Sequence, residues 1–152
     1  MKLYRIAKAG YINDPGGEGA RLYGGRWSEK GIPVIYASSS RSLAALEFLA
    51  RVPLALAPTD LSICEFTLPD SISVREIRKS VLPSDWKTSP PPASTMEIGT
   101  RWVREGKNLL LVVPSVIVPD EKNVLINPQH KDFRRIKKRI EPFRFDPRRT
   151  DR

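Results

Sequence analysis

Apolar and polar residues alternate from Leu61 to Leu68, a period of two that predicts a strand. Leu3 to Ile6 and Pro33 to Ala37 read as shorter strands, and Ser71 to Ile77 as another that pairs nearby. Leu109 to Val113 is apolar throughout, as a buried strand is, with Val116 to Val118 continuing it; Val124 to Asn127 is a further short strand. The alternation around Phe143 and Phe145 suggests a late strand. Two segments change period. After the N-cap oxygens of Ser38, Ser39 and Ser40, Leu43, Leu46 and Ala50 recur at helical spacing until Pro53. Ser94, Thr95 and Glu97 resemble a capping signal for a second helix running to Gly106, with Met96, Gly99 and Val103 on one side. Gly10 to Gly25 reads as a surface loop turning at Asn13-Asp14-Pro15-Gly16-Gly17, and Leu82 to Pro92 as a proline-rich loop around Trp86. Short strands with two helices between them predict an α+β domain with a mixed or antiparallel sheet.

Length adds one constraint. At 152 residues, without an internal repeat or a dividing linker, the chain is expected to be a single domain with a folded core over about 1–147 and a frayed basic tail at 148–152. No apolar run is long enough for a membrane span, and the N-terminus lacks the apolar stretch of a signal peptide. The one cysteine, Cys64, excludes an internal disulfide, and a reducing cytoplasm is the expected setting. The net charge of +9 fits nucleic acid, an acidic protein or an anionic small molecule equally well. Much of the excess lies late, from Lys131 to Arg139 and from Arg144 to Arg152, without interleaved aromatic residues or helix-turn-helix spacing. A solvated face, or one covered by an acidic partner, is the simpler reading.

Candidate chemistry gathers early in the chain. Gly24 and Gly25 allow a close backbone approach, and Arg26 beside them offers a planar fork suited to phosphate. Ten residues on, Tyr36 ends an apolar strand; eleven further, Glu47 stands in an otherwise apolar helical segment. Each has a plain alternative: a surface arginine, a core aromatic with its hydroxyl at the rim, a carboxylate facing solvent. Together they suggest a site for a phosphorylated, ring-bearing molecule, which points to nucleotides. Ser115 follows an apolar strand and a proline and reads alone as a turn residue. His130, the one histidine, looks like a cap, and nothing else supports a serine–histidine–acid triad. One cysteine and one histidine leave no expectation of a metal site.

Taken in order, several stretches resemble the RES-domain family, toxins of bacterial toxin–antitoxin pairs. They are Leu3-Tyr4-Arg5-Ile6, Gly24-Gly25-Arg26-Trp27, Gly31 to Ser38 through Tyr36, Ser42-Leu43-Ala44 to Glu47, and Val113-Pro114-Ser115. Asn127-Pro128-Gln129-His130 and Pro142-Phe143-Arg144-Phe145-Asp146-Pro147-Arg148 extend the match nearly to the end. Ser28 departs from it, since asparagine commonly follows the tryptophan in the family.

The resemblance implies an ADP-ribosyltransferase-like fold that consumes NAD by hydrolysis or by phosphorolysis, with NAD and inorganic phosphate as substrates and no cofactor. Some members are described as modifying a protein instead. By position the family's arginine falls on Arg26, its tyrosine on Tyr36, its glutamate on Glu47 and its serine on Ser115. Glu47 would stabilise the oxocarbenium-like charge as nicotinamide leaves ribose, Arg26 would hold phosphate, Tyr36 the nicotinamide, and Ser115 the reactive pose. Arg5, Gly25 and Trp27 are the expected substrate-binding residues, with a structural ion pair the alternative for Arg5. An Xre-type helix-turn-helix antitoxin in a hetero-oligomeric complex is the implied partner, DNA being contacted only through it and no membrane being involved. Transfer of ADP-ribose to a protein is the first competing function, and a non-enzymatic, basic nucleic-acid-binding module the second.

Overall fold

A computed structural model describes residues 1–146; the expectations for the tail at 148–152 lie outside the described residues. Seven strands form one sheet: β1 (Lys2–Lys8), β2 (Ile35–Ser38), β3 (Leu61–Thr67), β4 (Val74–Glu76), β5 (Leu110–Pro114), β6 (Lys122–Ile126) and β7 (Lys137–Phe143). Their spatial order is β4-β5-β6-β2-β1-β3-β7. Every neighbouring pair is antiparallel except β4–β5, so the sheet is mixed, as the pattern predicted. Three helices accompany it: α1 (Glu18–Tyr23), α2 (Arg41–Leu49) and α3 (Ala93–Glu105).

Strand alternation divides the core. Leu3, Ile35, Cys64, Phe66, Leu110, Val124 and Ile126 pack together on one side of the sheet. The alternate positions turn to the other side. There Ile6, Leu61 and Ile63 meet Ala44 and Phe48 of α2, while Val34, Leu111, Val113 and Leu125 meet Trp102 and Val103 of α3 together with Trp27 and Trp86.

The residues of α2 decide the site. Ser40 caps it, its Oγ accepting from the Leu43 N–H at 3.1 Å. The helix expected from Leu43, Leu46 and Ala50 forms; its buried stripe is Leu43, Ala44 and Phe48, whereas Leu46 is 43% exposed and Ala50 also faces out. Positions 43, 44, 47 and 48 share one side of a 3.6-residue helix, which turns Glu47 inward. Burying Leu43 and Phe48 contributes roughly 1.5–3 kcal/mol each and holds that rotation.

Other expectations change in detail. The loop expected over Gly10–Gly25 contains α1, whose first N–H groups are capped by Asp14: Oδ1 accepts from Glu18 N at 2.9 Å and Oδ2 from Gly19 N at 3.2 Å. The helix ending at Gly106 begins at Ala93 without a side-chain N-cap; Thr95 donates instead to the Pro92 carbonyl at 3.0 Å. Within Ser71–Ile77 only Val74–Glu76 is strand, and it pairs in parallel with β5 at the sheet edge. Val116 to Val118 turns toward β6 and does not extend β5. The late strand begins at Lys137, inside the basic run, and ends at Phe143; Phe145 lies beyond it, edge-on to Phe143 at 5.1 Å between ring centres.

Candidate active site

Glu47, Ser115 and Asn123 meet where the Glu47 side chain of α2 reaches the end of β5 and the start of β6. Ser115 Oγ donates to Glu47 Oε1 at 2.8 Å, and Asn123 Nδ2 donates to the same oxygen at 2.6 Å. Neither bond uses Oε2, so the two oxygens are inequivalent. Ser115 is fully buried, and its Oγ also accepts from the Ile117 and Val118 N–H groups, both at 3.1 Å. Pro114 ends β5, and that hydroxyl closes the turn toward β6 while holding the carboxylate. Asn123 lies opposite Ser38 and Val113 in the sheet register, and its Oδ1 accepts from Ser38 Oγ at 2.8 Å.

The Gly24–Ser28 loop brings Arg26 within electrostatic reach of Glu47. Gly25 N–H donates to the Ser28 carbonyl at 2.9 Å, closing a narrow turn. Tyr36 sends its hydroxyl into the turn, where it accepts from Trp27 N at 3.1 Å and shares a hydrogen bond with Ser28 Oγ at 2.8 Å. A Cβ on Gly25 would lie 2.5 Å from that hydroxyl oxygen, so the missing side chain makes room for Tyr36. Burial raises the Tyr36 phenol above its ordinary value, against the opposing pull of Ser28, Trp27 N–H, Arg51 and Arg26. The hydroxyl therefore stays protonated at neutral pH and serves as a hydrogen-bond hub.

Arg26 projects from the same turn. Its Nη1 donates to the Trp86 carbonyl at 2.9 Å and the Thr88 carbonyl at 2.8 Å. Neither of these bonds uses Nε or Nη2. Partial burial lowers its pKa, while attraction to Glu47 and Tyr36 acts the other way, and the guanidinium stays charged. The Trp27 ring is buried 6.4 Å from that of Trp86, centre to centre, and α3 presses on the Trp27 backbone at Gly99, where a Cβ would overlap the Trp27 carbonyl oxygen. These contacts fix Arg26 from both sides.

The structure thus brings Arg26, Tyr36, Glu47 and Ser115 into one neighbourhood, with Gly25 and Trp27 shaping the turn. Arg5 stands apart on the Leu3 and Ala7 side of β1, its Nη1 donating to the Tyr11 and Ile12 carbonyls at 3.4 and 3.3 Å. Burial lowers its pKa, with Asp14 opposing and Arg51 reinforcing that effect. Asn123, Ser38 and Ser28 escaped the sequence reading. Asn123 carried a signal nonetheless: it is the polar residue two before buried Leu125, on the same strand face. Among the described residues no group of three or more His, Cys, Asp or Glu side chains is placed to hold a metal ion.

Comparison with known proteins places the chain. A model of the RES domain matches residues 2–147. The chain belongs to the RES domain family. It is 40% identical to Toxin Res of Yersinia enterocolitica, covering 97% of this chain and 99% of that protein. It is 38% identical to a Sphingobium protein named Prs ADP-ribosylating toxin, covering 90% of this chain and 86% of that one. In three dimensions this RES domain superposes on a chain of the Mycobacterium tuberculosis MbcT–MbcA toxin–antitoxin complex with a TM-score of 0.71. That match covers 93% of this chain and 83% of the other at 18% identity, a likeness of fold. No helix among the described residues is long and apolar enough to cross a membrane.

Proposed function

We propose that the chain is the toxin of a toxin–antitoxin pair and cleaves the nicotinamide–ribose bond of NAD, arresting growth by depleting it. The observation that carries the reading is Glu47: an inward carboxylate with one oxygen tied down by Ser115 and Asn123 and the other left untied, in the field of a fixed arginine. As the bond breaks, its electron pair stays with the nicotinamide nitrogen, which loses its positive charge. The ribose carbon becomes oxocarbenium-like. Glu47 Oε2 faces that growing positive charge and stabilises the transition state more than bound NAD. Water then adds to the carbon and releases a proton, giving ADP-ribose; alternatively a phosphate oxygen adds, giving a ribosyl phosphate.

Arg26 uses its Nε and Nη2 donors for the pyrophosphate or the incoming phosphate. Tyr36, with its hydroxyl committed to the turn, offers its ring to the nicotinamide, and Trp27 and Gly25 hold the turn at the distance this needs. Arg5, on the other face of β1, serves the fold by holding the Tyr11 and Ile12 carbonyls. The reaction takes place in the cytoplasm. An Xre-type helix-turn-helix antitoxin silences the chain in a hetero-oligomeric complex and makes the DNA contacts. The basic surface suits a partner that is acidic on its toxin-facing side.

A second reading keeps the bond cleavage and changes the acceptor, so that ADP-ribose passes to a protein. The name of the Sphingobium relative favours it. One experiment separates the two. Purified chain, free of antitoxin, is incubated with NAD and nicotinamide is followed by chromatography with and without inorganic phosphate. Release that depends on phosphate identifies phosphorolysis; release with free ADP-ribose and no phosphate requirement identifies hydrolysis. Release only when a protein acceptor is added favours transfer. No release under any of these conditions, from folded protein, overturns the proposal.

A further inference from the structure

We propose that Asn123, oriented by Ser38, is a positioning residue that fixes the orientation of the Glu47 carboxylate and leaves one of its oxygens facing the substrate. The inference rests on the reading of Glu47 given above.

Donors and acceptors settle the orientation of each group. An ionised carboxylate only accepts, so the Asn123 group 2.6 Å from Glu47 Oε1 must be the amide NH2. The amide oxygen then points at Ser38, whose hydroxyl must donate to it, as the 2.8 Å contact allows. Ser115 is constrained in the same way. Its Oγ already accepts two backbone N–H groups, which leaves its one proton for Glu47. Two protons therefore converge on Oε1 from fixed directions, and the carboxylate cannot rotate without losing both. Oε2 is the oxygen left to the sugar.

The sheet supplies the rigidity. Ser38 and Asn123 are paired residues of β2 and β6, and Ser38 is almost fully buried. Between them they form a short relay, Ser38 to Asn123 to Glu47, that begins on the backbone register itself. Ser115 ties Glu47 to β5 and Asn123 ties it to β6, so α2 is referenced to two adjacent strands. Without Ser38 the amide keeps its NH2 toward the carboxylate but loses its second anchor and can swing, carrying the carboxylate with it.

The test follows nicotinamide release, a product common to hydrolysis, phosphorolysis and transfer, in Asn123→Ala, Ser38→Ala and the double variant. Loss of kcat on the order of 100-fold is expected for Asn123→Ala, the scale of a misplaced reacting group. Ser38→Ala should lose roughly tenfold, the scale of one net hydrogen bond. KM for NAD should stay within about twofold in both, and Ser38→Thr, which keeps the hydroxyl, should recover most of the loss. The double variant should be no slower than Asn123→Ala, because Ser38 acts only through Asn123. Multiplicative losses of about 1,000-fold, a change confined to KM, or unchanged kcat in a folded Asn123→Ala protein would each overturn the inference. Should Asn123→Ala fail to fold, the Ser38→Ala and Ser38→Thr pair decides alone. Glu47→Gln is run in parallel: full turnover there sinks the reading of Glu47 itself, whereas lost turnover there with normal turnover in Asn123→Ala sinks only the relay. No release from the wild-type protein sinks both.

Discussion

Gly25→Ala turns the packing of the Gly24–Ser28 loop into a number. Gly25 is absent from the glycines at positive φ, so alanine suits its backbone and the cost comes from contact alone. The new methyl would meet Tyr36 Oη at 2.5 Å and Cζ at 2.8 Å, well inside van der Waals distance. Tyr36 must then withdraw, losing its bonds to Trp27 N–H and Ser28 Oγ at about 1 kcal/mol each. Overpacking adds roughly 1–3 kcal/mol. The expected destabilisation is therefore about 3–5 kcal/mol, a fall in melting temperature on the order of 10 °C for a chain of this size. Denaturant unfolding followed by tryptophan fluorescence reads it, since Trp27 and Trp86 lie together beside the turn. The decisive variant is Gly25→Ala with Tyr36→Phe. Removing the hydroxyl deletes the closest clash and loses the same two bonds only once, so the pair should cost about 2 kcal/mol less than the sum of the single changes. Additivity within about 0.5 kcal/mol would show that Gly25 and Tyr36 do not meet, and would refute the reasoning.

Gly99→Ala is expected to be worse, at about 3 kcal/mol or more, because its methyl meets the Trp27 backbone carbonyl, which cannot rotate away; melting curves and soluble yield check it. Arg26→Ala should weaken NAD binding by roughly tenfold or more, measured calorimetrically, with little change in melting temperature, since it gives up bonds only to the Trp86 and Thr88 carbonyls near the surface. Glu65 joins Lys2, Arg41 and Arg139, and the Lys2 hydrogen bond, reinforced by the charges of Arg139 and Lys2, holds its carboxyl below the ordinary 4.5. A depressed carboxylate contributes stability above its ordinary pKa and loses it as pH falls through the folded value. Urea titrations from pH 6 down to pH 3 should therefore show a flatter acid decline in Glu65→Gln than in the wild type; identical slopes would remove Glu65 from the account.

The fold was legible where one signal dominated. The alternation of Leu61–Leu68 gave β3, Ser40 gave the start of α2, and Gly106, at φ 63°, gave the end of α3. It was obscured where tertiary contacts supply what local pattern lacks. α1 forms in a glycine-rich segment because Asp14 caps it from four residues away. β7 forms within a basic run because its backbone pairs along all of β3 and its charges sit on an exposed edge, with Arg139 reaching Glu65. At the site, Arg26, Tyr36, Glu47 and Ser115 stood out by residue type and order along the chain. Asn123 and Ser38 did not, because their meaning lies in how they orient the carboxylate, and that depends on the register of β2 against β6. The inward turn of Glu47 likewise depends on which helix face is buried, which helical spacing alone does not settle.

The most direct measurement compares wild type and Glu47→Gln for nicotinamide release from NAD, alongside calorimetric binding of NAD to each. Glutamine keeps the shape and removes the charge. Turnover should fall by at least 1,000-fold, roughly 4 kcal/mol of transition-state stabilisation, while the dissociation constant for NAD changes by less than about threefold. Near-normal release by Glu47→Gln would contradict the account.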